Sequence, residues 1–200
     1  MSLFSKFFGT NNPVSNEEKG ENSNKPTPDI NSPLDEQFIY NFKRNGGKFL
    51  YCENLKEVSE QFENILAEND WFENEVLCHE LELYYLLDEN KLTYGLSKEP
   101  QFLLSTCENL VAEEGSILFS SNQIKQKKPN ELPSNIIILA RTSQIIEGKS
   151  DGLSAIRRKY LREYPTNITT IKYFEKAKEE DFTQYGSSAK NLYLLLLEDL

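Results

Sequence analysis

Apolar residues recur along this chain at two spacings, and the change from one to the other divides it into helices and strands. Phe38, Ile39 and Phe42 fall on one helical stripe, with Ser32 and Pro33 before it and Gly46-Gly47 after it. A capping residue, a proline in the first turn and a glycine stop predict a helix between them. Lys48 to Cys52 then reads as the first strand. Asn54, with Glu57 three residues on, is a capping pair opening a helix whose Leu55, Val58, Phe62, Ile65 and Leu66 share a face. Glu75 to Cys78 reads as a second short strand, and Leu81 to Leu87 fits either helix or strand. From Gln101 onward strand patterns dominate. Phe102 to Ser105 is one, and Asn109 to Ala112 and Ile117 to Ser120 flank a turn at Glu113-Glu114-Gly115-Ser116. Asn135 to Ala140 is continuous and apolar, as a strand buried on both faces must be, and is therefore central. Ser150 is expected to cap a helix that turns Leu153, Ile156, Tyr160 and Tyr164 to the core and stops at Pro165. Ile168 to Ile171 and Asn191 to Leu197 are expected to close the sheet. Alternating strands and helices make an α/β domain with a mostly parallel central sheet and flanking helices.

The first 31 residues differ in kind. Residues 9 to 31 are rich in Asn, Ser, Pro, Glu and Lys and nearly free of large apolar groups. Such a stretch cannot bury enough surface to offset its ordering entropy, so residues 1 to 31 are expected to be a disordered tail and residues 32 to 200 the folded domain. Leu3, Phe4, Phe7 and Phe8 gather on one side of a short helix and offer a weak contact for a membrane surface or a partner. No run approaches roughly 18 apolar residues, so no transmembrane segment is expected. MSLFSKFFG lacks a small-residue cleavage site behind a long apolar stretch, so no secretory leader is expected either.

Charge and cysteine content narrow the chemistry. The net charge of −10 is unevenly spread: residues 48 to 114 hold 16 acidic and 4 basic side chains, net −12, whereas residues 115 to 178 hold 5 acidic and 12 basic, net +7. Overall acidity argues against nucleic-acid binding, and the basic part lacks the interleaved aromatics of a stacking platform. Its Lys125, Lys127, Lys128, Arg157, Arg158, Lys159 and Arg162 are either solvated surface charges or the lining of an anion site. Cys52, Cys78 and Cys107 are too widely spaced for a zinc or iron–sulfur site, so no metal and no cofactor is expected. Each adjoins an apolar run and reads as a buried thiol, which fits a reducing cytoplasm. His79, the only histidine, follows Cys78, but adjacent strand residues point to opposite faces and cannot pair as nucleophile and base. There is no P-loop, GxGxxG or GxSxG.

Four segments of the C-terminal half fall in a fixed order: LVAEEGSILFSS (Leu110 to Ser121), LPSNIIILA (Leu132 to Ala140), NITTI (Asn167 to Ile171) and YGSSAKNLYLLLLEDL (Tyr185 to Leu200). Their order and wording resemble the lactate-utilization (LUD) domain family, over roughly residues 35 to 200. The family pattern is an "IAeTGT" turn, an "lP…hIvvv" strand, an "itGPSrTaDIE" segment and a closing "GvHGP" strand. Here Glu113 and Gly115 keep the turn, with Glu114 and Ser116 for its threonines. The Gly-Pro-Ser and Asp-Ile-Glu are absent around Thr169, Thr170 and Lys172. Gly186 is kept, Ser187 follows it, and Ser188 stands where the family has histidine.

The resemblance implies the fold of the ribose-5-phosphate isomerase, glucosamine-6-phosphate deaminase and CoA-transferase superfamily. It also implies a component of lactate or related organic-acid utilization that carries no cluster and works beside iron–sulfur partner proteins. Three functions follow as expectations. One is an accessory module binding a small anion or a partner. Another is an enzyme acting on a sugar phosphate or acyl-CoA, with Glu113 as its carboxylate. The last is an interaction protein docking through Phe4, Phe7 and Phe8. Open α/β sheets bind ligands beyond the carboxyl ends of their strands. The turns at Glu113, Gly115 and Ser116, at Thr169, Thr170 and Lys172, and at Gly186, Ser187 and Ser188 are therefore expected to meet in one crevice, with Arg141 at its edge.

Overall fold

A computed structural model of the chain describes residues 32–95, 99–174 and 189–199. Its elements are α1 (Leu34–Arg44), β1 (Lys48–Cys52), α2 (Leu55–Asn69), β2 (Glu75–Leu77), α3 (Tyr84–Glu89), β3 (Thr93–Tyr94), β4 (Phe102–Ser105), β5 (Asn109–Val111), β6 (Ser116–Ser120), α4 (Ser121–Ile124), β7 (Asn135–Arg141), β8 (Ile145–Ile146), α5 (Lys149–Lys159), β9 (Ile168–Ile171) and β10 (Asn191–Leu197). The tail proposed for residues 1 to 31, with Phe4, Phe7 and Phe8, lies outside the described residues.

Six strands form the main sheet in the order β1-β10-β7-β4-β2-β3, and every pairing is parallel. The chain is thus an α/β fold with a parallel central sheet. β7 and β10 explain why the interior reads as continuously apolar. On β7, Ile137 and Leu139 enter one core and Ile136, Ile138 and Ala140 the other. β10 divides in the same way, with Tyr193, Leu195 and Leu197 on one side and Leu192, Leu194 and Leu196 on the opposite one. Successive strand side chains point to opposite faces, so a strand covered on both sides has no polar positions to spare.

The first core is closed by α2 and α3, through Val58, Phe62, Ile65, Leu66, Leu86 and Leu87, with Trp71 stacked on Phe102 at 5.0 Å between ring centroids. Asn54 caps α2 by accepting the Glu57 N–H at 3.1 Å, as its spacing predicts. The second core is closed by α1, through Phe38 and Phe42, and by a smaller sheet of order β8-β5-β6-β9. Two expectations are corrected here. β9 does not close the main sheet; it pairs antiparallel with β6 in the smaller one. β10 lies inside the main sheet, between β1 and β7, rather than at its edge. The segment left open between helix and strand, Leu81 to Leu87, is a 3-10 turn leading into α3. Helix α5 starts at Lys149, ahead of Ser150, and ends at Lys159, well before Pro165. Its Ile156 is buried, but Leu153 and Tyr164 are 42% and 47% exposed, against the expectation that both face the core.

Candidate site at the carboxyl rim of the main sheet

The connections leaving the main sheet determine where an opening can form. From β2 the chain passes through α3, on the first core's side; from β4 it passes into β5 and β6, on the second core's side. β2 and β4 are hydrogen-bonded neighbours, so the loops leaving their carboxyl ends part to opposite faces. Ligands of open α/β sheets bind at such a switch point.

Side chains at this rim are mostly polar. Glu80, just beyond β2, spans the divergence: its Oε2 accepts Ser105 Oγ at 2.8 Å and the Thr106 backbone N–H at 2.7 Å, and its Oε1 accepts the Thr106 hydroxyl. His79 stands beside it. Burial pushes the imidazole below its ordinary pKa, and the charges of Lys125 and Lys127 push the same way, against the opposing pull of Glu80. Two strands along, Asp199 ties the end of β10 to the loop after β7, accepting Thr142 Oγ1 at 2.8 Å, the Ser143 N–H at 2.9 Å and Ser143 Oγ at 2.6 Å. Burial alone would raise the Asp199 carboxyl; the Ser143 and Thr142 hydrogen bonds and the Arg141 charge outweigh it and hold it low.

Arg141, the last residue of β7, is exposed and forms none of the salt bridges among the described residues. β7 runs three residues beyond Ile138, the partner of the last β4 residue, so Arg141 stands above the end of β4. Tyr85, at the start of α3, lies within electrostatic reach of Glu89, Arg141, Cys52 and Glu82. Its hydroxyl is the one buried side-chain polar atom among the described residues with no hydrogen-bond partner. A buried hydroxyl left unpaired costs roughly 1–3 kcal/mol, so it marks a place where a partner belongs.

Of the described residues singled out from the sequence, those at Glu113 to Ser116 and Thr169 to Lys172 fall elsewhere, and Arg141 alone lies at this rim. The Glu113 to Ser116 turn packs on the C-terminal end of α1: Asn41 Nδ2 donates to the Ala112 carbonyl at 2.9 Å, and Asn45 Nδ2 to the Glu114 carbonyl at 2.6 Å. Asn45 lies three residues before Lys48, so this turn sits at the amino end of β1, away from the Arg141 rim. Two of its N–H groups, those of Glu113 and Gly115, donate to the Glu147 and Val111 carbonyls. Gly115 has φ +60°, and a Cβ there would meet the Asn41 carbonyl carbon and the Phe42 nitrogen at 2.2 Å. Close helix packing accounts for the glycine without an anion.

Lys172 does approach the turn. The Glu114 carboxyl would be raised by burial, but Lys149, at 2.8 Å, the Lys172 charge and Ser116 hold it low. Thr169 and Thr170 pair with Phe119 and Leu118 in the smaller sheet. Glu114, Ser116 and Lys172 are thus brought together, and Arg141 is not with them. Gly186, Ser187 and Ser188 lie outside the described residues. Lys190, just after them, is buried, donates its ammonium to the Leu132 carbonyl at 2.8 Å, and has its pKa pushed down by burial.

A second buried polar cluster escaped the sequence reading. Glu108 Oε1 accepts Ser120 Oγ at 2.6 Å, Gln123 Nε2 at 3.0 Å and the Tyr160 hydroxyl at 3.0 Å; Oε2 accepts Lys159 Nζ at 2.9 Å. Burial would raise this carboxyl, but the Ser120, Lys159 and Gln123 hydrogen bonds and the Lys159 charge hold it below the usual range. With every acceptor direction occupied, it is a lock between β5, β6, α4 and α5. All three cysteines are free and buried. Burial pushes the Cys52 thiol up to about 12 and Cys78 to about 11, which leaves both protonated and inert at neutral pH. Among the described residues no group of His, Cys, Asp and Glu is placed to hold a metal ion, and no helix is long and apolar enough to cross a membrane.

No family model matches the chain, and no curated protein sequence does. Its fold is similar to that of a solved DUF162 family protein from Deinococcus radiodurans, at a TM-score of 0.56 and 14% identity, over 83% of this chain and 96% of that one. At that identity the likeness establishes the α/β fold and nothing about activity.

Proposed function

We propose that this chain is a LUD-type binding component, without a metal cluster of its own, that holds a small organic anion at the carboxyl rim of its main sheet. The observation that carries the reading is the unpartnered Tyr85 hydroxyl within electrostatic reach of Arg141. A carboxylate there accepts the phenol O–H and the guanidinium fork together, and so satisfies the buried hydroxyl and the unbridged cation at once. The switch point between β2 and β4 supports the location, since that is where loops of an open sheet leave room. The order of the Leu110, Leu132, Asn167 and Tyr185 segments, with its resemblance to the lactate-utilization family, supports a 2-hydroxy acid such as lactate as the class of anion. In that role the protein acts beside redox partners in the cytoplasm and recognises their substrate or product. Among the described residues no arrangement at the rim pairs a general base with a nucleophile, so binding is the activity proposed.

The test is thermal melting of the full chain with L-lactate, D-lactate, pyruvate, a sugar phosphate and inorganic phosphate. A ligand at 100 times its Kd stabilises by about 2.7 kcal/mol. The 2-hydroxy acids are expected to raise Tm and Arg141→Ala to remove the rise. A rise confined to the phosphates, or one retained in Arg141→Ala, overturns the reading.

A further inference from the structure

Helix α5 and the segment that follows it carry exposed apolar residues that the described fold does not cover. Its inward face is Gly152 and Ile156, and a Cβ at residue 152 would meet Ile146 Cδ1 and Leu118 Cδ2 at 2.8 Å, so the helix lies directly on the smaller sheet. Leu153, Leu161 and Tyr164 face solvent, Leu161 at 83% exposure. Interspersed with them, Arg157, Arg158 and Arg162 are exposed and have no hydrogen bond or ion pair among the described residues. Lys159 is engaged by Glu108, and Glu163 is the acidic side chain between Ile156 and Pro165.

We infer that this surface docks an acidic, leucine-bearing segment of a partner protein. The partner's apolar side chains cover Leu153, Leu161 and Tyr164, and its carboxylates meet the three arginines. Arginine and tyrosine are among the residue types that most often anchor protein interfaces. Charge selects the class of partner. The whole chain is −10, and residues 48 to 114 alone are −12, so an extended polyanion reaching past α5 meets repulsion. Screening at physiological salt limits such repulsion to about 8 Å, so a short acidic segment that stays on the patch avoids most of it, whereas a polyanion that extends along the surface does not.

The experiment measures binding of the full chain to four probes. These are a labelled helical peptide of glutamate and leucine, its lysine–leucine counterpart, a single-stranded oligodeoxynucleotide, and phosphatidylcholine vesicles containing phosphatidylserine. Sedimentation of the chain alone is run in parallel. Only the acidic peptide is expected to bind, with at least tenfold loss in Arg157→Glu/Arg158→Glu and again in Leu161→Ser, whose charge is unchanged. Melting curves establish that the variants fold; Arg158→Ala replaces the double variant if it does not. Stronger binding to DNA or vesicles, no peptide binding, insensitivity to Leu161→Ser, or self-association abolished by these variants each overturns the inference.

Discussion

Glu80 Oε2 accepts the backbone N–H of Thr106 at 2.7 Å, across the point where the loops after β2 and β4 part to opposite faces of the sheet. Its carboxylate also engages the side chains of Ser105 and Thr106. Glu80→Ala removes the acceptor for the Thr106 N–H and leaves the hydroxyl of Ser105, a residue 1% exposed, with the Thr106 carbonyl alone. We expect a loss of about 1–3 kcal/mol in denaturant unfolding, with faster exchange of the Thr106 amide. Unchanged exchange at Thr106 would mean that the bridge does not hold the loops.

Glu108 makes a stability prediction with a defined sign. Its carboxyl is depressed in the folded state, so its contribution is complete above the unfolded pKa and is lost as pH falls through the folded one. Glu108→Ala leaves Gln123 Nε2 buried without its acceptor and Ser120 Oγ with Gln123 Oε1 alone, while Lys159, 58% exposed, regains water. A loss of about 2–3 kcal/mol at neutral pH is expected, shrinking as the pH is lowered. Urea midpoints at several pH values check both the size and the trend.

Gly115→Ala should destabilise the domain by more than about 2 kcal/mol, because it adds a Cβ against α1 backbone and strains a positive φ. The midpoint of unfolding is the readout. If the variant folds normally and loses only an anion-dependent shift, the turn is a binding loop after all.

Much of the fold is visible in the sequence where burial acts locally. β1, β4 and β10 fall at the residues their apolar runs mark, α1 ends just ahead of Gly46, and α2 begins at the Asn54 cap. What a run of side chains cannot state is which strand it pairs with. β9 is a good strand by composition, yet its partner is β6, and β10 is interior rather than at an edge. Leu153 and Tyr164 have core spacing but lie outward, since Gly152 lets the other face of α5 approach the smaller sheet. The rim was hidden for the same reason. It arises from the opposite exits of β2 and β4, and its key group, Tyr85, sits in a segment whose period was ambiguous. The glycine-bearing turn, by contrast, looked like an anion cradle because the α1 side chains that bond its carbonyls, and the Glu147 carbonyl that takes the Glu113 N–H, are distant in sequence.

His79, as the only histidine, gives a site-specific view of the rim. Its pKa is lowered by burial and by Lys125 and Lys127. A base with a depressed folded pKa contributes stability that is complete above the unfolded value and declines as pH falls from there toward the folded value. The ring protons in one-dimensional NMR should therefore titrate below the usual histidine midpoint, and Lys125→Ala with Lys127→Ala should move that midpoint up. A midpoint at or above the ordinary value contradicts the described environment.

The most direct measurement of the central claim is the melting temperature of Tyr85→Phe with and without lactate. The hydroxyl is buried without a partner, so its removal is expected to stabilise the unliganded chain by about 1 kcal/mol and to abolish most of the ligand-induced rise. A variant that melts lower without ligand, or one that keeps the full rise, would contradict the assignment of this hydroxyl to a bound anion.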